Sequence, residues 1–176
     1  MFEIFGLLLL LVFAIFWIPY VTKTEKFGAP FVTAEPKMVE RMMNLAQVKK
    51  GDVFYDLGSG DGRLVISAAL RGAKSYGVEI DLLRVLYSRF WIWLLRLSKN
   101  AKIIRKNFFD VNLSKADVVS LFLLQKTNQK LKNKLKKELK PGARIVSYGF
   151  TFEGWQPKKV DTRPNIYGPI YLYKIS

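Results

Sequence analysis

The hydrophobic pattern divides the chain near its start. Residues Ile4 to Val21 (IFGLLLLLVFAIFWIPYV) form one apolar run without a charge. As a helix this run would reach about 27 Å at about 1.5 Å per residue, against a bilayer hydrocarbon core of about 30 Å. Beyond it, apolar residues fall into short blocks separated by Gly, Pro and polar clusters. Met38, Met42 and Leu45 recur at helical spacing and predict a helix over 36–47, with Pro36 in its first turn and Glu35 or Thr33 as its cap. VFYDL predicts a strand over 53–57, followed by a helix over 64–72 and a second strand over 75–80. A long helix over 82–97, a third strand over 101–106 and a fourth over 116–124 come next. The near-continuous apolar run of the fourth marks a central parallel strand. A helix over 127–140 closes at Pro141-Gly142, and strands are predicted over 143–150, near 158–163 and over 170–175. Strands alternating with helices predict an α/β fold, a mostly parallel sheet with helices on both faces.

The flanks of the first block bear on its use. Trp17 and Tyr20 stand where an aromatic belt would lie, Lys23 and Lys26 follow, and the other end carries only Glu3 and the α-amino group. That asymmetry predicts a single-pass membrane anchor with the remainder on the cytoplasmic or matrix-like side. A cleaved signal would need a basic start and an A-x-A site, and a core helix would need a polar face. Neither is present. The expected organisation is an anchor over 1–21, a linker and lead-in loop over 22–33, and a folded domain over 34–176.

Composition removes several chemistries. The chain has no Cys and no His, which excludes disulfides, the usual zinc sites and Ser–His–Asp hydrolysis, and no metal is expected. Lys and Arg number 29 against 14 acids, a formal charge of +15. Such a surface attracts nucleic acid or the anionic face of a lipid bilayer. Six lysines of helix 127–140 lie opposite Leu131, Leu135 and Leu139. They read as a solvated face, with lipid headgroups second. Helix 82–97 is apolar nearly all round. Either Trp91 or Trp93 meets a membrane interface or the anchor, or the helix is buried on both sides.

The candidate chemistry is concentrated after the first predicted strand, in Asp56-Leu57-Gly58-Ser59-Gly60-Asp61-Gly62. Glycines between a strand and a helix permit a tight turn and close approach of a ligand to the backbone. A pyrophosphate site would read G-x-G-x-x-G and avoid acids. Here the spacing is G-x-G-x-G, and Asp56 and Asp61 favour a ligand carrying positive charge. Glu79 ends the second strand, and Asn107-Phe108-Phe109-Asp110 follows the third.

This run resembles motif I of the class I, seven-strand, S-adenosylmethionine-dependent methyltransferases. Further segments narrow the resemblance: Pro30 to Ala34, Gly51 to Asp56, Pro141 to Ser147, Phe150, and Gly154-Trp155. Over roughly residues 30 to 176 the pattern is similar to the small protein-lysine N-methyltransferases. That family includes the membrane-anchored mitochondrial enzymes acting on the ATP synthase c-ring protein and the adenine nucleotide translocase. The chain departs from it at Thr33, where Pro is frequent, and at Glu35, where a hydroxyl residue is frequent.

The resemblance implies a Rossmann-like fold and S-adenosyl-L-methionine as cofactor. Asp56, Gly58, Ser59, Gly60, Asp61 and Gly62 would form the cofactor loop, Glu79 would bind both ribose hydroxyls, Asn107 would read the adenine amine and Phe108 would pack on the ring. Thr33, Glu35, Phe109, Phe150 and Trp155 are the candidates for the substrate channel. Plain core packing is the alternative for the three aromatics and a first-turn helix acid the alternative for Glu35. No catalytic base is assigned. The expected partner is a lysine of a membrane-embedded protein. An RNA or small-molecule methyltransferase and a non-catalytic cofactor-binding module are the alternatives. The fourth strand ends in Leu123-Leu124-Gln125 and not in an N/D-P-P-Y type sequence, which disfavours nucleobase and amide targets.

Overall fold

The computed structural model of the protein describes Gly6 and residues 34–176. Five parallel strands are built first: β1 (Val53–Leu57), β2 (Lys74–Glu79), β3 (Ala101–Arg105), β4 (Val118–Leu121) and β5 (Arg144–Tyr148). β7 (Ile170–Lys174) runs antiparallel to β5, and β6 (Lys159–Asp161) antiparallel to β7. The order across the sheet is β3-β2-β1-β4-β5-β7-β6. It reverses direction between β1 and β4, and in open α/β sheets ligands bind at that switch point, beyond the carboxyl ends of the strands.

Register decides which side chains share a face. Asp56 pairs with Gly77 and Ser120, Ser120 with Val146, and Val146 with Leu172. Because side chains alternate along a strand, Phe54, Asp56, Gly77, Glu79, Ile103, Ser120, Val146 and Tyr148 all belong to one face. Three helices cover it: α1 (Pro36–Leu45), α2 (Arg63–Leu70) and α3 (Leu82–Leu94). α1 buries Met38, Val39, Met42 and Met43 against Phe54, Val118, Val146 and Leu172. Val85 and Ile92 of α3 pack with Val65 and Ala69 of α2 and with Ile103. On the opposite face α4 (Gln125–Glu138) buries Leu131 and Leu135, and its Asn128 donates to Ser147 Oγ at 3.1 Å.

Two connections are shorter than a helix. Between β3 and β4 there is one 3-10 turn, Phe108–Asp110. Beyond β5, Phe152 and Trp155 pack on Tyr173 with ring centroids 5.0 and 5.2 Å away. These aromatics fill space that a helix would otherwise cover. Arg41 of α1 reaches the distant β6, donating to Asp161 at 2.9 and 2.7 Å. The bonds from Arg163 and from Arg41 hold the Asp161 carboxyl far below the usual carboxylate range.

Most predicted elements are present with trimmed ends. The strand expected over 116–124 covers only Val118–Leu121, because Phe122 to Leu124 leave the ladder and the carbonyl of Leu124 caps α4. The helix expected over 82–97 stops at Leu94, where Arg96 adopts a left-handed φ of 57°. It is also buried on one side only, with Leu83, Phe90 and Trp93 at 61%, 52% and 67% exposure. The predicted single-pass placement is corrected. Among the described residues no helix is long and apolar enough to cross a membrane, and single-pass anchoring does not stand. The segments 1–21 and 22–33 expected as anchor and linker lie outside the described residues, Gly6 excepted.

The two kinds of apolar position predict opposite responses to truncation. Met42 is fully buried in α1, so Met42→Ala should cost about 2–5 kcal/mol in urea unfolding. Leu86→Ala on the exposed side of α3 should stay within about 0.5 kcal/mol of the parent.

Candidate functional site

The loop after β1 is an arch of backbone held from below. Gly58, Gly60 and Gly62 have φ of 81°, 52° and 80°, a region that L side chains resist. Space is limiting as well, since a Cβ on Gly58 would lie 3.0 Å from Leu123 and one on Gly62 3.0 Å from Ser88. The amides of Gly58 and Ser59 donate to Val78 O at 2.9 and 3.0 Å. Ser88 of α3 donates through Oγ to Gly60 O at 2.9 Å. Gly77 of β2 is required by the same packing, because a Cβ there would meet Ser59 Oγ at 2.6 Å. The Ser59 side chain therefore turns into the sheet, and its buried hydroxyl has no hydrogen-bond partner among the described residues.

Three carboxylates surround the arch. Asp56 is 2% exposed and accepts a 2.6 Å hydrogen bond from Ser120 Oγ. Burial above all, opposed by the Ser120 bond and helped by the charges of Asp61 and Glu79, raises its carboxyl to about 7. Glu79 accepts from the Gly60 amide through Oε2 and from the Ile80 and Asp81 amides through Oε1, each at 2.9 Å. Asp61 pairs with Arg63, and Arg63 also donates to the carbonyl of Ala34. One guanidinium thus fastens Ala34, just before α1, to the glycine loop.

At the end of β3, Lys106 N bonds Glu79 O at 3.1 Å and brings 107–110 beside the arch. Asn107 is exposed, and its Oδ1 accepts from Phe109 N at 3.1 Å. Phe108 and Phe109 are half-buried with ring centroids 4.8 Å apart. Asp56, the glycines, Asp61, Glu79 and the 107–109 turn are therefore brought together.

The expected channel residues scatter more widely. Glu35 is exposed at the start of α1, where its carbonyl accepts from Met38 and Val39 without a side-chain cap bond. Phe150 is half-buried, and its carbonyl accepts from Ser147 Oγ at 2.6 Å and Asn128 at 3.3 Å. Trp155 packs in the Phe152–Tyr173 cluster beneath Lys136, whose Nζ lies 4.9 Å from the ring centroid. Thr33 lies outside the described residues.

Sequence reasoning missed Ser88, Ser120 and Gly77, and a ring cluster formed by Phe122, Tyr148 and Tyr167. Phe122 lies 4.5 Å from Tyr148 and 5.4 Å from Tyr167 between centroids. Tyr148 donates to Asn165 Oδ1 at 3.0 Å, and burial raises its phenol above the usual range. Phe122 continues the Asp56–Ser120 face beyond the end of β4.

The residues fit the expected cofactor. Acids around a close backbone approach suit a cationic ligand with hydroxyls and an amino group, and they repel a pyrophosphate. Comparison with known proteins agrees. The ANTKMT methyltransferase domain matches residues 56–159. A protein-lysine N-methyltransferase of Saccharolobus islandicus is 43% identical over 150 residues, covering 83% of this chain and 93% of that one. A human lysine N-methyltransferase named for the C subunit of ATP synthase is 34% identical over 143 residues, covering 81% of this chain but only 61% of its own length. Among solved structures, an RNA methyltransferase from Salinibacter ruber in complex with S-adenosyl-L-homocysteine superposes with a TM-score of 0.77 at 36% identity. That match covers 82% of this chain and 94% of the other. By its fold, its glycine arch and these likenesses, the chain belongs to the ANTKMT methyltransferase domain family.

Proposed function

We propose that this protein is an S-adenosylmethionine-dependent protein-lysine N-methyltransferase, its catalytic domain spanning residues 34–176, and that its target is a membrane-associated protein. The observation that carries the reading is the buried carboxylate of Asp56 beneath a glycine arch, in a chain 43% identical to a protein-lysine N-methyltransferase. The membrane-associated target follows the human relative's name, which specifies the C subunit of ATP synthase. An RNA target is the second reading, favoured by the name of the Salinibacter structure.

Bound S-adenosylmethionine supplies an electrophilic methyl carbon on a sulfonium. The chain supplies binding, alignment and exclusion of water. Asp56 and Asp61 would hold the cofactor's positive charge, Glu79 would take the ribose hydroxyls, and Asn107 and Phe108 would hold the adenine. Ser59 seats the arch on Gly77. A lysine amine of the target must arrive neutral, although its ordinary pKa is about 10.4. Apolar surroundings favour the neutral form, and Phe109, Phe150 and the Phe122–Tyr148–Tyr167 cluster provide them at the carboxyl ends of the strands. Glu35, at the start of α1, accepts a hydrogen bond from the amine and orients its lone pair. With the cofactor held there, the amine would attack its methyl carbon, the C–S bond would break with its electrons going to sulfur, and the proton would leave to water. Holding the reacting atoms in line is the main remaining contribution.

Cofactor binding should depend on pH through Asp56. Its carboxyl titrates near 7, above the ordinary carboxylate value. Without ligand, the protonated form therefore favours the folded state at low pH, and that contribution is lost as pH rises through about 7. A cationic ligand selects the carboxylate. Affinity for S-adenosylmethionine should fall about tenfold from pH 8 to pH 6, with proton release on binding, measured by calorimetry in two buffers. Asp56→Asn should bind weakly and lose the slope. A slope that survives in Asp56→Asn would remove this role.

The target class is tested by transfer of labelled methyl groups into a membrane protein fraction and into total RNA. Label recovered as methyllysine, reduced at least about a hundredfold by Glu79→Ala, supports the reading. Label recovered only in RNA overturns it.

A further inference from the structure

The exposed side of α3 is the largest feature that methyl transfer leaves unused. Val85, Ser88 and Ile92 face the sheet. Leu83, Leu86, Tyr87, Phe90, Trp93 and Leu94 face outward, each 49% exposed or more. Their spacing in steps of three, one, three, three and one puts them on a single side of the helix. Phe90 packs on Trp91 at 5.8 Å and lies 6.2 Å from Trp93, making a ridge of rings. An apolar patch of this extent on an otherwise charged surface marks an interaction site.

Charge selects the partner. From Leu82 to Phe109 the chain carries seven Lys and Arg and no Asp or Glu. Arg89, Arg96 and Lys99 are exposed beside the patch, and Arg89 is held by bonds to Ile103 O at 2.8 and 3.3 Å. An apolar protein partner has no need of a rim of one sign. A bilayer interface with anionic headgroups matches both parts, because the rings and leucines enter the acyl boundary while the cations meet phosphate. Tyr87 and Trp93 are the residue types that favour that depth.

From this match we infer that α3 is a lipid-docking face, lying along the surface of an anionic bilayer without crossing it. Ser88 sits on the inner side of the same helix and bonds the glycine arch. The docked face and the cofactor loop are therefore two sides of one element.

The absence of Cys in the whole chain permits a clean test. Trp93→Cys, and as a control Lys130→Cys on α4 across the sheet, are each labelled with an environment-sensitive fluorophore on the full chain. Vesicles of phosphatidylcholine with a third phosphatidylserine should blue-shift the label at 93, doxyl lipids should quench it, and the label at 130 should not respond. Pure phosphatidylcholine or 0.5 M salt should weaken the response at least about tenfold. Phe90→Glu combined with Leu86→Glu should abolish vesicle binding at position 93 while leaving S-adenosylmethionine affinity within about twofold, which shows the fold intact. Binding of the protein to vesicles with the label at 93 unmoved would overturn the inference. So would a label at 93 that responds to a protein fraction but not to lipid.

Discussion

The structure is organised around an electrostatic debt at the carboxyl ends of β1 and β2. Asp56 is buried there with Ser120 as its side-chain donor, and Asp61 and Glu79 add further negative charge. Such a group costs folding free energy unless it is protonated or neutralised. The surrounding construction limits that cost. Three backbone amides hold Glu79, Arg63 takes Asp61, and the glycine arch keeps side chains away from the remaining space. What is left uncompensated is a demand for positive charge, which is the property a sulfonium with an amino group supplies. Stability and ligand choice are here two readings of one arrangement.

Around that centre the domain is compactly made. Right-handed crossovers place α2 and α3 on one face of the sheet, where α1 also packs, and the switch between β1 and β4 sends α4 to the other. Where a fuller α/β domain would add helices, this chain uses a 3-10 turn and a knot of aromatic rings. The helix bearing the exposed apolar ridge is also the helix that buttresses the glycine arch through Ser88.

Much of this was legible in the residues. Alternating apolar blocks located the strands, and glycines flanked by acids located the tight arch after β1, because both signals are local. Ser120 and Gly77 were not legible. Their importance comes from a register that pairs each with Asp56, and one sequence does not contain that pairing. Phe122, Tyr148 and Tyr167 likewise meet only because β4 and β5 are neighbours and the 165–168 loop folds back over Gly149. Trp155 is a channel candidate with core packing as its alternative, and its ring packs in the Phe152–Tyr173 cluster. Helix α3 was legible as apolar all round. Which of its sides the sheet covers depended on where α2 packs.

The order of the strands has a consequence for how the domain is made. β7 follows β6 in the chain but lies between β5 and β6 in the sheet. On a ribosome, β6 would emerge with no neighbour to pair, and α1 would wait beside an open edge, its Arg41 unmatched. Only after residues 170–174 appear can the hairpin slot against β5 and bring Asp161 to Arg41. The half that carries the glycine arch emerges early, and the hairpin that covers the β5 edge comes last. A chain that has not yet supplied residues 170–174 would therefore present β5 as an unpaired edge, the kind of strand that invites pairing with another chain.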